Sequence, residues 1–187
     1  MGVDIEGARR ITAVKSEQDS FEALFKAEYA RVAGIANRVL ADAQEAEDVA
    51  QEVFIDFHRL HSASSPYAAP WLYRAAAHTA LNRLRGRRRR ERREHEQATY
   101  ARAGEDVEGS RAMDPQRIAE VNEDRRRVRE ALARLPAKPA AVLVLRASGL
   151  SYTEVAEAIG VRTGQIGTLL RRAEAALRKE VTRGTPE

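Results

Sequence analysis

Residues Ser151-Tyr-Thr-Glu-Val-Ala-Glu-Ala-Ile-Gly160-Val-Arg-Thr-Gly-Gln-Ile166 decide the fold of the C-terminal part of the chain. Ser151 and Glu154 have the spacing of a capping box, which starts a helix by satisfying two backbone N–H groups that lack a partner inside it. Val155, Ala156 and Ile159 then recur on one side at helical spacing. Gly160 stops this helix, because glycine enters the left-handed region without a steric cost. Thr163 can cap a second helix with an inner stripe of Ile166, Leu169, Leu170, Ala173 and Leu177. A short helix, a tight turn and an amphipathic basic helix form a helix-turn-helix pattern. In that motif the first helix crosses the DNA backbone and the second enters the major groove N-terminus first. The outward positions are Gln165, Thr168, Arg171 and Arg172, with Arg162 and Thr163 at the helix start. Gln and Arg make bidentate contacts to base edges, and Thr suits phosphates or a thymine methyl. The competing reading is an ordinary helical hairpin with a solvated face. Cap, glycine and basic second helix occurring together favour DNA.

Upstream, the short apolar run Val142 to Leu145 is ambiguous by periodicity alone. Pro139 at a first turn and Gly149 past the end favour a helix. Before it, Asp114-Pro115 reads as an N-cap followed by proline at the first helical position. Ile118, Val121, Arg125, Val128, Leu132 and Leu135 follow at helical spacing until Pro136. Between Gly86 and Met113 large apolar residues nearly vanish, and such a stretch cannot bury enough surface to offset its ordering entropy. Part of it is compatible with an exposed helix, and Ala103 to Met113 reads as a flexible linker.

The N-terminal half reads as three helices. The first starts near Asp19-Ser20, with Asp19 and Glu22 at capping-box spacing and Phe21, Leu24, Phe25, Val32, Ala36, Val39 and Leu40 inside. The second starts at Asp42 and buries Ala46, Val49, Ala50, Val53, Phe54 and Phe57. After a loop, His61 to Ala69, the third begins around Pro66 or Pro70 and buries Trp71, Leu72, Ala75, Ala76, Ala80 and Leu84. No apolar/polar alternation of strand type occurs. The fold class is all-α, with two small helical domains, 16–93 and 115–182, joined by a charged flexible linker, 94–114.

The chain has 187 residues, 32 basic against 28 acidic, a formal charge of +4 and no cysteine. Absence of cysteine excludes disulfides, a thiol nucleophile and thiolate-bound metal. The longest strongly apolar run, Ala140 to Leu145, falls far short of the roughly 20 residues of a membrane span, and Met1 to Lys15 lacks a signal-peptide core; the expectation is a cytoplasmic protein without membrane insertion. The near-neutral total hides segregation. Ala41 to Phe57 carries −6 and no base, whereas Arg83 to Arg93 carries +7. That asymmetry points to two partners, one of them polyanionic.

On the third helix Arg74, His78, Asn82 and Arg85 share one face and lead into Arg87 to Arg90. Cations interleaved with hydrogen-bonding groups make a polyanion surface whose affinity falls steeply with salt. Tyr67, Trp71 and Tyr73 lie close enough to stack on an unpaired base, although core packing is the plainer reading of Trp71. On the second helix Asp48, Gln51 and Glu52 face away from the apolar stripe. They suit a basic protein partner or a solvated face, not DNA. His58 and His61 have metal-ligand spacing, but no third ligand accompanies them, so no metal and no cofactor are expected. No phosphate loop, nucleophile elbow or dinucleotide fingerprint is present, and an enzyme is not expected.

Four segments in order, Asp48-Val-Ala-Gln-Glu-Val-Phe, Trp71-Leu-Tyr-Arg with its arginine tract, Leu132-Ala-Arg-Leu-Pro and Gly149-Leu-Ser-Tyr-Thr-Glu-Val-Ala, resemble extracytoplasmic-function sigma factors of the bacterial sigma-70 family. The resemblance covers about 20–93 and 115–180. It implies a factor that binds core RNA polymerase and directs promoter-specific initiation, with the polymerase performing the chemistry. It implies that Asp48, Gln51 and Glu52 dock on the polymerase clamp helices. Arg74, His78, Asn82 and Arg85 would melt and read the −10 element, the loop His61 to Ala69 would take a flipped base, and the last helix would read the −35 element. An anti-sigma factor is the implied regulator. Two departures stand out. The family usually has Asn and Asp where this chain has His78 and Asn82, and basic or polar residues where it has Gly167 and Leu169.

Overall fold

The computed structural model describes residues 5–101 and 115–183, with side chains over 15–94 and 123–183. The described residues form seven helices and no strand: α1 (Ile5–Leu40), α2 (Ala43–Leu60), α3 (Ala68–Ala101), α4 (Pro115–Arg134), α5 (Ala137–Ala147), α6 (Tyr152–Ile159) and α7 (Thr163–Arg183). The all-α class is as expected. The reading of Ala103 to Met113 as a flexible linker, and of Asp114 as a cap, lies outside the described residues.

One helix start in the N-terminal half differs from the sequence reading. α1 does not start at Asp19; it runs through it from Ile5. The preceding residues are mostly good helix formers, and extending a helix is easier than nucleating one. Ser20 Oγ donates to Ser16 O at 2.8 Å, a mid-helix bond rather than a cap. α3 starts at Ala68, and Pro70 sits in its first turn, where the missing N–H has no intrahelical acceptor. α3 then continues to Ala101, into the stretch after Gly86 that was read as compatible with an exposed helix. Arg and Glu are strong enough helix formers to carry it without an apolar stripe.

α2 follows its sequence reading closely. The Asp42 carboxylate accepts from Glu45 N at 3.0 Å, and Ala46, Val49, Ala50, Val53, Phe54 and Phe57 are all buried. Phe54 packs on Phe25, with ring centroids 4.9 Å apart, and meets Phe21 edge-on at 6.2 Å. The turn from α1 to α2 passes through Ala41 at φ +53°, a left-handed position usually given to glycine. The loop after α2 is fastened to α1, because Glu17 accepts Ala63 N at 2.9 Å and the Ser62 hydroxyl at 3.1 Å.

The C-terminal module is built as its sequence indicates. Ser151 Oγ accepts Glu154 N at 3.2 Å, and Glu154 accepts Ser151 N at 2.7 Å, which closes the capping box. Gly160 adopts φ +67°, ψ +49° and ends α6. No atom would crowd a Cβ at Gly160, so the cost of a side chain there is the backbone conformation alone. Gly160→Ala should therefore destabilise the protein by about 1–2 kcal/mol, read as a lowered urea midpoint with unchanged slope. Thr163 is the first residue of α7 rather than its cap; Gln165 Oε1 instead accepts Arg162 N at 3.2 Å.

The two modules do not stand apart. α3 packs against α1 and α2 and also against α4, α5 and α6. Buried side chains from Val32 to Ile166 form one continuous cluster. Beyond the stripe read from the sequence, α3 also buries Tyr73, Ala77 and Leu81, which widen its apolar side.

Candidate protein and nucleic-acid interfaces

Ile166 and Ala173 seat α7 on the C-terminal module, which turns the other side of the helix outward. Arg162, Thr163, Gln165, Thr168, Arg171 and Arg172 are all exposed. Gln165 accepts the Arg162 N–H at the helix start, whereas no hydrogen bond of the Thr168, Arg171 or Arg172 side chains occurs among the described residues. These side chains thus project from one helix that follows the tight turn at Gly160.

On α2, Asp48, Gln51 and Glu52 are exposed as read from the sequence. Ile55, which the sequence reading passed over, stands beside them with half its surface in solvent, at 51%. The four occupy i, i+3, i+4 and i+7, one stripe of a helix. A cleft of about 270 Å³ lined by Phe21, Phe25, Phe54, Ile55 and His58 opens next to Gln51. His58 lies on the Phe21 ring at 4.4 Å, an aromatic contact rather than a ligand position. No group of three metal-ligating side chains occurs among the described residues.

The acidic and basic segments, read as separate surfaces, meet in the structure. Glu52 pairs with Arg83 at 2.6 Å and Glu45 with Arg87 at 3.0 Å. Part of the arginine tract thus holds α2 to α3. Such half-exposed pairs contribute little stability individually, but they fix which charges remain for partners. Asp48 is exposed.

α3 brings Arg74, His78, Asn82 and Arg85 onto one face, as the spacing requires. Arg74 and Asn82 are exposed, and His78 is half-buried. Burial, then the nearby Arg74 and Arg85 cations, hold the His78 imidazole below its usual pKa. Arg85 donates from Nη1 to Asn82 Oδ1 at 3.3 Å. Its Nε reaches Ala133 O at 3.2 Å and its Nη2 reaches Leu135 O at 2.9 Å, both on the C-terminal module. Arg88 donates to Glu130 O at 3.2 Å. Nearby, His61, Tyr67 and Trp71 cluster at the loop, with His61–Trp71 centroids 4.9 Å apart and Tyr67 49% exposed. Trp71 is half-buried against Phe57 at 5.4 Å, so it belongs to the edge of the core.

A polar network below this face was invisible in the sequence. The Tyr73 hydroxyl donates to Glu28 at 2.6 Å and accepts from Arg31 at 3.1 Å. Burial, together with the bond donated to Glu28, raises the Tyr73 phenol to about 12. Arg31 lies over the Tyr73 ring at 5.2 Å and pairs with Glu154 at 2.9 Å. Glu154 is held below its ordinary range first by the Ser151 backbone and hydroxyl, then by Arg31.

Two family models match the chain: Sigma-70 region 2 over residues 24–90 and Sigma-70 region 4 over residues 125–177. The chain is similar to the RNA polymerase sigma-H factor of Pseudomonas aeruginosa, 32% identical over 174 residues that cover 88% of either chain. It is also similar to the ECF RNA polymerase sigma factor SigK of Mycobacterium ulcerans, 29% identical over 88% of this chain and 87% of that one. A solved structure of the sigma factor RpoE with the anti-sigma factor NepR from Bartonella quintana is 21% identical, covers 88% of this chain and 98% of that chain, and has a TM-score of 0.44. On the two matched regions and these relatives, the chain belongs to the sigma-70 family as an extracytoplasmic-function sigma factor, which binds core RNA polymerase and directs promoter-specific initiation.

Proposed function

We propose the following division of labour among the residues. Asp48, Gln51 and Glu52 dock the factor on core polymerase, and Ile55 adds apolar area at the centre of the contact. Arg74, His78, Asn82 and Arg85 engage the −10 element. Arg162, Thr163, Gln165, Thr168, Arg171 and Arg172 engage the −35 element. The domains run 16–93 and 115–182, with 94–114 as linker. The factor acts in the cytoplasm, is not itself an enzyme, and answers to an anti-sigma partner.

The observation that carries the docking assignment is the stripe at 48, 51, 52 and 55. It combines acids, an amide and a half-exposed isoleucine on one side of a helix whose other side is entirely buried. Helical docking motifs are read through such i, i+3, i+4, i+7 anchors. Tethering supplies the rest, because a site held by polymerase raises the effective concentration of the second and third.

Core-polymerase pull-down and run-off transcription test this assignment together. Asp48→Ala with Gln51→Ala should weaken core binding by roughly tenfold or more, as removal of central interface anchors does. The helical circular dichroism should stay unchanged, since both side chains are exposed. Core binding that survives the double change would overturn the docking assignment.

A further inference from the structure

Residues 61–67 join α2 to α3, and one side chain of α1 holds them. One carboxylate oxygen of Glu17 accepts Ala63 N at 2.9 Å, and the other accepts the Ser62 hydroxyl at 3.1 Å. The Ser62 and Ser64 hydroxyls meet at 2.9 Å. Within the loop, Ser62 O accepts Ser65 N and Ser65 O accepts Ala68 N, two short local turns. Among the described residues, the loop's hydrogen bonds to a distant part of the chain both end on Glu17. They keep the Glu17 carboxyl below its usual range, the Ala63 N–H first, then Ser62, with a smaller contribution from His58. The loop carries an aromatic surface. His61 lies 4.9 Å from Trp71 and 5.7 Å from Tyr67, and Tyr67 is exposed. That surface stands about one helical turn before Arg74 on α3. Rings presented in this way stack on an unpaired base whatever its identity.

We propose that Glu17 is a positioning residue for promoter opening: its carboxylate straps the loop so that Tyr67, backed by His61 and Trp71, presents one fixed stacking surface to an unpaired base of the −10 strand. This rests on the assignment of the adjacent α3 face to the −10 element. Glu17 acts through the loop and does not itself touch DNA. Without the strap, Ala63 N–H loses its acceptor and the loop keeps only its local turns, so it samples several conformations. A binding-competent form that is only fractionally populated lowers the apparent affinity by that fraction.

The sign of the effect separates this role from electrostatics. Removing an anion from a DNA-binding protein ordinarily leaves binding unchanged or tighter. Glu17→Ala should instead weaken binding of the holoenzyme to a single-stranded −10 fragment by roughly three- to tenfold, measured by fluorescence anisotropy. The fragment is taken from a promoter mapped by run-off transcription. Glu17→Gln removes the same charge but keeps an oxygen for Ala63 N and an amide for the Ser62 hydroxyl, and should recover most of the loss. Unchanged or tighter binding by Glu17→Ala, or an equal loss in both variants, would overturn the proposal. So would a loss of core binding in pull-down that matches the loss on DNA.

Two further readouts separate positioning from a merely structural role. Trp71 is the single tryptophan of the chain, so its emission reports on the loop directly. In the free factor, Glu17→Ala should change the Trp71 emission and raise its quenching by acrylamide while the helical circular dichroism stays unchanged. An unaltered Trp71 signal refutes the strap. Abasic substitution at each position of the −10 strand then tests the base contact in the holoenzyme. The parent should lose affinity at one abasic position, and Glu17→Ala should be insensitive there. Full sensitivity retained by Glu17→Ala removes the positioning role alone. A parent indifferent to every abasic position refutes the loop as a base-binding surface, and the proposal with it.

Discussion

Replacing both Arg171 and Arg172 with alanine should lower the affinity of the full chain for −35 duplex by roughly two orders of magnitude. Each arginine that reaches a base edge is worth about 1–3 kcal/mol of discrimination, and 1.4 kcal/mol is tenfold. Both side chains project from the exposed side of α7, opposite Ile166 and Ala173. Neither packs on the core, so the fold should survive the change. Salt titration divides the loss by cause. If the two residues meet phosphates, the slope of log affinity against log salt should fall by about 2 and the loss should be uniform over sequences. If they read bases, binding to the preferred duplex should fall selectively. A double variant that binds duplex like the parent would remove α7 from the recognition role.

Phe54→Ala should cost about 3–5 kcal/mol, the range for emptying a buried aromatic site. Phe54 is 2% exposed and is enclosed by Phe25, Phe21 and Tyr29, with centroids 4.9, 6.2 and 6.1 Å away. These contacts join α1 to α2, so the cavity would lie beneath the exposed stripe of Asp48, Gln51, Glu52 and Ile55. Against a typical total of 5–15 kcal/mol, the loss should lower the thermal midpoint strongly and leave a sizeable unfolded fraction near it. A midpoint within a degree or two of the parent would show that the α1–α2 seam collapses around the smaller side chain.

The helices were legible wherever local chemistry ends them. Asp42, Ser151, Glu154 and Gly160 each act within a few residues, and the backbone responds to them directly. Asp19 misled for the same local reason: its spacing suits a cap, but the chain before it is already helical. The outward residues of α7 were legible because one buried stripe dictates the other side. α3 was only half legible. Its stripe through Leu72, Ala76, Ala80 and Leu84 was visible, while the burial of Tyr73, Ala77 and Leu81 depends on tertiary packing that spacing does not show. Ion pairs such as Arg83–Glu52 and Arg31–Glu154 span long sequence separations, and no spacing rule connects their members. Ile55 was hidden differently, as an apolar residue left outside by a helix whose stripe was otherwise complete.

The acceptors that Arg85 and Arg88 find at the end of α4 and just past it belong to the main chain. Every residue has a carbonyl, so no side-chain replacement in α4 deletes them. What determines their presence is where α4 stops, and Pro136 marks that point. Inserting or deleting one residue before Pro136 would rotate the terminal carbonyls by about 100° relative to the rest of the helix. In a lineage of such factors, the tightness of this contact would therefore drift with the length of α4 rather than with its composition. Chimeras that exchange the C-terminal module between relatives would keep the contact as long as the helix ends in register.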